Sequence, residues 1–302
     1  MTVTVTSAMA VPRWFTEAIA ELPEHREVEV AGGLVHLRCW GRAGTPGVVL
    51  VHGGSAHSGW WDHIAPLLAT TYRVVALDLS GHGDSAVRSR YPLDGWADEV
   101  IAAAEAGGIS ARPYIVGHSM GGGVTAAVGA RHRDSVGGLV IIDSPMFREP
   151  PEETIIRQLG RKPKAYPTKE EICGRFRTEP AQATVLPYVA RHVAEESVRR
   201  TDDGWVWKFD PEMFRKRLEQ ESIDMPGLLR TVDTPTLYIR CELGLVERDT
   251  ASAIAGSFKR RATVVELADA GHHPMMDQPL ALVATMRTAL AQWDSMSVRV
   301  RR

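Results

Sequence analysis

The sequence has few cysteines, no excess of charge of either sign and no long apolar run. Its 302 residues include only three cysteines, Cys39, Cys173 and Cys241, and no Cys-X-X-Cys pair. Neither a disulfide framework nor a zinc site is therefore expected, and a reducing cytoplasm is the predicted location. Lysine and arginine total 35 against 37 acidic residues, a formal net charge of −2, which argues against a nucleic-acid partner.

The lack of long apolar segments argues against a membrane protein. A spanning helix requires about 20 consecutive apolar residues, and no stretch approaches that length. The first ten residues have no basic start followed by an apolar run, so no secretory signal is predicted. A chain of this length buries a substantial core in one large domain, or in a core with a modest insertion. The composition leaves a homo-oligomer open.

Short β-branched runs alternate with glycine-rich turns and amphipathic segments. A hairpin is predicted around Gly32-Gly33, from segments 27–30 and 34–40. Buried strands are predicted at 48–51, 73–77, 114–116, 139–142, 236–239 and 263–267. Apolar spacing of three or four predicts helices from Asp94, after Ser119 and from Pro279. This order predicts an α/β fold with a mostly parallel, doubly wound sheet.

The composition and the pattern of predicted elements change after Asp143. Prolines punctuate a charged region in which helical spacing prevails, and the alternation of strands and helices resumes near position 236. We therefore expect a core of residues 1–143 and 226–302, interrupted by a helical insertion at 144–225.

One turn carries a candidate nucleophile. The segment Gly117-His118-Ser119-Met120-Gly121 follows a predicted strand and opens a helix. Its glycines permit a sharp turn that leaves the Ser119 hydroxyl exposed, and the Met120 amide lies near the helix start, where negative charge is stabilised. The alternative is a glycine-rich turn with an idle serine.

A second turn supplies a candidate oxyanion donor. His52-Gly53-Gly54-Ser55 ends another predicted strand, and a turn of small residues there aims a backbone amide at the same oxyanion. Gly54 is predicted to be this donor, with Ser55 as the neighbouring candidate. The alternative is a tight turn that only connects strand to helix.

Four segments resemble the α/β-hydrolase superfamily, over nearly the whole chain. They are His52-Gly53-Gly54, Asp78-Leu79-Ser80-Gly81-His82-Gly83-Asp84-Ser85, Gly117-His118-Ser119-Met120-Gly121 and Ala270-Gly271-His272-His273-Pro274. The resemblance implies a serine hydrolase in which His272, after the last strand, is the base for Ser119, with His273 as its rival. It implies no metal and no organic cofactor.

The acid of the triad is where this sequence departs from its family. Many members carry Gly-Glu-X-Asp after the seventh strand, but here Gly244 stands at the aspartate position. A known alternative in the superfamily takes the carboxylate from the end of the sixth strand, where Asp143 lies. Asp143 is therefore the predicted acid, with Glu242 next and Glu247 or Asp249 after it. Its alternative role is a turn residue that caps the start of the insertion.

The insertion resembles the cap that covers the active site in this family. Met146 and Phe147 within it, and Trp60 and Trp61 just past the oxyanion turn, are the candidate substrate contacts, although each also fits a buried structural role. The predicted reaction is hydrolysis of a moderately apolar carboxylic ester or lactone, a small molecule, through an acyl-enzyme on Ser119.

Three other functions fit the same residues. One is hydrolysis of a carbon-carbon bond in a ring-cleavage diketone, and another is cofactor-free haloperoxidase chemistry, since the same triad serves each. The third is a hydrolase-like ligand-binding protein, because a fold alone does not fix a function. The products of the reaction distinguish the first two from ester hydrolysis.

Overall fold

An eight-stranded, mostly parallel sheet forms the centre of the protein. The computed structural model describes residues 10–147, 164–218 and 223–300. The strands of the sheet are β1 (Glu24–Val30), β2 (Gly33–Trp40), β3 (Gly47–Val51), β4 (Arg73–Leu77), β5 (Tyr114–His118), β6 (Gly138–Ile142), β9 (Thr236–Leu243) and β10 (Thr263–Gly271), with β7 (Val198–Thr201) and β8 (Gly204–Trp207) paired apart from it. Their order in the sheet is β1-β2-β4-β3-β5-β6-β9-β10.

The direction of the strands gathers several turns at one edge. β2 pairs antiparallel with both β1 and β4, whereas β4, β3, β5, β6, β9 and β10 pair in parallel. The carboxyl ends of parallel strands meet at the same edge of a sheet, where open α/β sheets bind their ligands. The residues that follow β3, β5, β6 and β10 therefore lie near one another.

Helices cover both faces of the sheet. They are α1 (Arg13–Ala20), α2 (Ala65–Ala69), α3 (Leu93–Ala106), α4 (Met120–Arg131), α5 (Lys169–Cys173), α6 (Pro187–Glu196), α7 (Met213–Leu218), α8 (Met225–Leu229), α9 (Arg248–Ser257), α10 (Pro274–Asp277) and α11 (Pro279–Val300). Within the described ranges, no helix has the length and apolar content needed to cross a membrane.

Successive residues of the buried strands face opposite sides of the sheet and pack in two separate hydrophobic cores. Val49 and Val51 of β3 pack in a cluster with residues of α3, α4 and α9, and Val48 and Leu50 pack in a second cluster with residues of α1, α2 and α11. This alternation follows from the two-residue period of a strand whose two faces are both covered. The predicted α/β class with a doubly wound sheet is confirmed.

The segment between β6 and β9 lies outside the sheet. Its described part contains α5, α6, the β7–β8 hairpin, α7 and α8. The sequence pattern predicted helices here, whereas the antiparallel hairpin was not predicted. Polar contacts join this segment to the core, because Arg38 of β2, which also donates to Asp62 at 2.8 Å, donates to Glu196 of α6 at 2.6 Å. Asp210 also accepts a hydrogen bond from the hydroxyl of Tyr91 at 2.7 Å.

Candidate active site

Ser119 occupies a strained turn between β5 and α4. Its φ of 53° lies in the left-handed region, and its amide donates to the carbonyl of Ile142 on the neighbouring strand at 3.0 Å. The turn also requires glycine at 121, because a Cβ there would lie 2.5 Å from the carbonyl oxygen of His52. The β5 and β3 turns are thus pressed together, and such local strain is typical of functional sites.

His272 joins Ser119 to Asp143. The Oγ of Ser119 lies 3.0 Å from Nε2 of His272, and the Nδ1 of the same ring lies 2.8 Å from Oδ2 of Asp143. His272 is 3% exposed and Asp143 is fully buried. The three side chains come from the ends of β5, β10 and β6, so the sheet edge brings together residues that are far apart in sequence. A hydroxyl, an imidazole and a carboxylate in this order form the arrangement that activates a serine nucleophile.

Backbone amides hold the Asp143 carboxylate in place. The amide of Cys241 donates to Oδ1 at 3.2 Å, and the amide of Leu245 donates to Oδ2 at 2.8 Å. Asp143 itself has a φ of 42°, which is unusual for a residue with a side chain. These contacts orient the carboxylate toward His272.

The other candidate acids lie elsewhere. Glu242 is exposed, and its Oε2 accepts a hydrogen bond from the amide of Asp269 at 2.9 Å. Glu247 and Asp249 are exposed at the start of α9. Among the described residues, Asp143 is the carboxylate that bonds to the ring of His272.

Gly244 explains the departure from the usual family pattern. A Cβ at this position would lie 2.3 Å from Oδ2 of Asp143, well inside van der Waals contact. The carboxylate from β6 therefore fills the space beside the position where many family members place their aspartate. A side chain at 244 and a carboxylate at 143 exclude each other in this geometry.

The predicted oxyanion residues lie next to Ser119. Met120 is the first residue of α4, so its amide has no partner one turn earlier within the helix. A Cβ on Gly54 would lie 3.8 Å from Sδ of Met120, which places the β3 turn against the start of α4. Ser55, the alternative donor, has a φ of 58°. Both predicted donors are thus near the end of α4 that favours negative charge.

His118 supports the His272 turn, a role that sequence reasoning missed. Its Nε2 donates to the carbonyl of His272 at 2.7 Å. Burial, followed by the proximity of His272 and His273, lowers the pKa of His118 well below its ordinary value, so the ring is neutral. The sequence offered no signal for this contact, since an isolated histidine before the serine reads as filler.

His273 does not contact Ser119. Neither of its ring nitrogens has a hydrogen-bond partner in the described structure, and burial lowers its pKa well below the ordinary value. His118, His272 and His273 each have one ring nitrogen within 4.8 Å of the others, a spacing that a metal ion could bridge. However, both nitrogens of His272 and one of His118 are already hydrogen-bonded. Those hydrogen bonds would have to break before the three rings could share a metal ion.

Gln182, in the segment between β6 and β9, also holds the His272 turn. Its Oε1 accepts from the amide of His273 at 2.9 Å, and its Nε2 donates to Oδ2 of Asp277 at 3.1 Å. The same oxygen of Asp277 accepts from the amide of Gly271 at 2.6 Å. Residues on both sides of His272 are fixed in this way. A lone glutamine gives no sequence signal of such a contact.

The four candidate substrate contacts differ in exposure. Trp61 is fully buried in the second core, which corresponds to its structural alternative. Trp60 has a ring centroid 5.4 Å from that of His273, and its Nε1 has no hydrogen-bond partner in the described structure. Met146 packs, partly buried, against the first core, and Phe147 is 39% exposed. Trp60 is 7% exposed, and a substrate contact at Trp60, Met146 or Phe147 stays a prediction.

Comparison with known proteins places the chain in a family. The model of the alpha/beta hydrolase family matches residues 48–285. The chain belongs to this family. It is 29% identical to the esterase Rv0045c of Mycobacterium tuberculosis, over 89% of this chain and 90% of that protein. It is 26% identical to a serine hydrolase-like protein of Danio rerio, over 91% and 90% of the two chains.

A solved structure shows the same fold. The crystal structure of E-2-(acetamidomethylene)succinate hydrolase superposes with a TM-score of 0.74, at 19% identity, over 88% of this chain and 98% of that one. The predicted resemblance to the α/β-hydrolase superfamily is confirmed, and the protein is a hydrolase enzyme.

Replacement of Gly244 tests the packing beside the candidate acid. Gly244→Ala is expected to displace the Asp143 carboxylate and to lower kcat for ester hydrolysis about 100-fold, as misplacement of a supporting group by about 1 Å does elsewhere. The neighbouring Leu243 is 66% exposed, so Leu243→Ala is the matched control and should keep its kcat. Thermal melts verify that both variants fold. An unchanged kcat in Gly244→Ala would show that this contact does not position the acid.

Proposed function

We propose that the protein hydrolyses a carboxylic ester or lactone through an acyl-enzyme on Ser119. One observation carries the proposal, namely the hydrogen bonds from Ser119 Oγ to His272 Nε2 and from His272 Nδ1 to Asp143 Oδ2. The naming of a relative as an esterase also supports it.

Acylation uses His272 as a general base. Its Nε2 takes the hydroxyl proton as Oγ of Ser119 bonds to the acyl carbon, and the Asp143 carboxylate stabilises the imidazolium that forms. The amides of Gly54 and Met120 donate to the oxyanion of the tetrahedral intermediate. His272 then gives its proton to the leaving alkoxide, which departs as an alcohol.

Deacylation repeats these steps with water. His272 removes a proton from the water that attacks the acyl carbon, and it returns that proton to Oγ of Ser119 as the acid leaves. His118 and Gln182 are proposed to keep the imidazole in register through both steps, because each bonds to the backbone of the His272 turn. The residues present are sufficient for this cycle.

The apolar residues around the site favour an apolar acyl group. Partly buried side chains that pack against the first core near the serine turn are Met120, Met146, Phe214, Met225 and Leu245. Phe214 of α7 lies against the oxyanion turn, since a Cβ on Gly54 would be 3.2 Å from its Cζ. We therefore propose that the segment 144–225 is a cap over the active site, with Trp60 and Met146 as substrate contacts.

The free cysteines fit the proposed location. Cys39, Cys173 and Cys241 form no disulfide, and burial raises the pKa of Cys39 to about 11. Free thiols suit the reducing cytoplasm that the composition predicts.

Hydrolysis of p-nitrophenyl esters of increasing acyl length tests the function. Saturable turnover with an optimum at an intermediate acyl length is expected, because the apolar side chains around the site can cover an acyl chain of only limited length. A fluorophosphonate probe should at the same time label one residue, and peptide mapping should locate the adduct at Ser119. Absence of both turnover and label would overturn the proposal, whereas labelling of Ser119 without ester turnover would direct the search to diketone substrates, which the same triad serves.

A further inference from the structure

Arg217 of α7 has no hydrogen-bond or ion-pair partner among the described residues. Its guanidinium lies over the ring of Trp96, 4.7 Å from the centroid, and its buried Nη1 makes no hydrogen bond. Burial lowers the pKa of this guanidinium below its ordinary value. The adjacent Lys216, by contrast, donates to Asp210 at 2.7 Å, and Arg215 donates to Glu212 at 2.8 Å.

The environment of Arg217 is unfavourable without an anion. Stacking on an aromatic face stabilises a guanidinium, but it supplies no hydrogen-bond acceptor to the buried Nη1. Buried polar groups in proteins are nearly always hydrogen-bonded, and an unpaired buried charge is costly. The buried carboxylate of Glu99, one turn after Trp96 on α3, is paired with Arg88 at 3.2 Å.

Two series of side-chain contacts link Arg217 to the oxyanion turn. Phe214 precedes it by three residues on α7, so the two side chains lie on one helix face, about 5 Å apart along the axis. Phe214 contacts Gly54, as described above. On the other side, the rings of Trp96 and His82 have centroids 6.1 Å apart, and those of His82 and His52 are 4.8 Å apart. His52 begins the oxyanion turn.

We propose that Arg217 binds a carboxylate at the far end of the acyl group, so that the preferred substrates are monoesters of dicarboxylic acids. This inference rests on the proposed ester hydrolysis. The apolar side chains of Met120 and Phe214 would pack against the methylenes between the two ends. A planar guanidinium matches a carboxylate in a bidentate geometry, and a single unpaired cation matches its single negative charge.

The experiment compares charged and neutral esters of similar length. The mono-p-nitrophenyl esters of adipate and suberate are measured beside p-nitrophenyl hexanoate and octanoate, and the ratio of kcat/KM between charged and neutral partners is the readout. Arg217→Met is expected to lower this ratio about 10- to 100-fold, the range for a hydrogen bond to a charged group. Arg217→Lys keeps the charge but cannot form the bidentate hydrogen bonds of a guanidinium. Its ratio should therefore lie between those of the wild type and Arg217→Met.

Arg215→Met is the matched control. It removes the same charge from the same helix, but Arg215 is engaged with Glu212, so the ratio should stay at its wild-type value. Circular dichroism melts verify the fold of each variant. An unchanged ratio in both Arg217 variants, with the neutral esters still hydrolysed, would overturn the carboxylate site and leave the esterase proposal intact.

Binding of free adipate separates the two proposals if no ester is hydrolysed. Thermal shift with adipate should then raise the Tm of the wild type and of Arg215→Met, but not that of Arg217→Met. That result would support the carboxylate site although the esterase proposal had failed. No shift in any of the proteins would overturn the site as well.

Discussion

Ser119→Ala is expected to lower kcat for p-nitrophenyl ester hydrolysis about 10⁵- to 10⁶-fold, the scale on which a serine hydrolase loses activity without its nucleophile. The substitution removes the one oxygen that lies 3.0 Å from Nε2 of His272. The oxyanion amides and the pocket are left intact, so a small residual rate and undiminished ligand binding should persist. Fixed-time assays at high enzyme concentration measure the residual rate.

Ser110→Ala is the control for this substitution. Ser110 is exposed in the loop before β5, where its hydroxyl donates to the carbonyl of Gly44 at 2.7 Å, and it lies at the opposite end of β5 from Ser119. Its removal should leave kcat at the wild-type value. Turnover by Ser119→Ala within tenfold of the wild type would require a different nucleophile and would refute the acyl-enzyme mechanism.

The core of this fold could be predicted from the sequence because its signals are local. β4 was predicted with its observed bounds, Arg73–Leu77, since a β-branched run between polar residues reads as a buried strand. The serine turn was equally clear, as its glycines and its strand-to-helix context lie within nine residues. Parallel pairing then follows from the alternation of strands and helices.

The β7–β8 hairpin was missed for a physical reason. Arg199 and Arg200 occupy the centre of β7, and the strand is only four residues long, so no apolar alternation marks it. Its turn is made by Asp202 and Asp203 before Gly204, which has a φ of 125°. Pairing with β8 and contacts made by the segment stabilise this hairpin, and those are tertiary effects that a local pattern does not contain.

Contacts between residues far apart in the sequence also could not be predicted from local patterns. Gln182 lies about 90 positions from the turn that it holds, and His118 lies 154 positions from His272. The approach of Asp143 to His272 was predicted only through the family resemblance, because nothing in a single sequence measures the space at Gly244. That space is nevertheless what decides between the candidate acids.

Asp143→Asn is expected to reduce kcat about 10⁴-fold, as the corresponding change does in other serine triads. The asparagine keeps the shape of the side chain but brings an NH₂ group in place of one oxygen. That group cannot accept from Nδ1 of His272 while the amides of Cys241 and Leu245 also require acceptors. The imidazole then loses both its orientation and the negative charge that stabilises its protonated form.

Glu242→Gln is the matched comparison, since it makes the same chemical change at the rival acid. Glu242 is exposed and accepts a hydrogen bond from the amide of Asp269. The kcat of Glu242→Gln should therefore stay within about twofold of the wild-type value, as is usual for surface substitutions away from the active site. The opposite ranking of the two variants would move the acid from β6 to the end of β9.

A double variant carries this argument one step further. Asp143→Ala combined with Gly244→Asp removes the carboxylate from β6 and places one where many family members have it. Because a Cβ at 244 would lie 2.3 Å from the present position of Oδ2 of Asp143, the new carboxylate would be close enough to reach Nδ1 of His272. The double variant should therefore be more active than Asp143→Ala alone. Equal activity of the two would show that the site needs the amide contacts of Asp143 as well as a negative charge beside the ring.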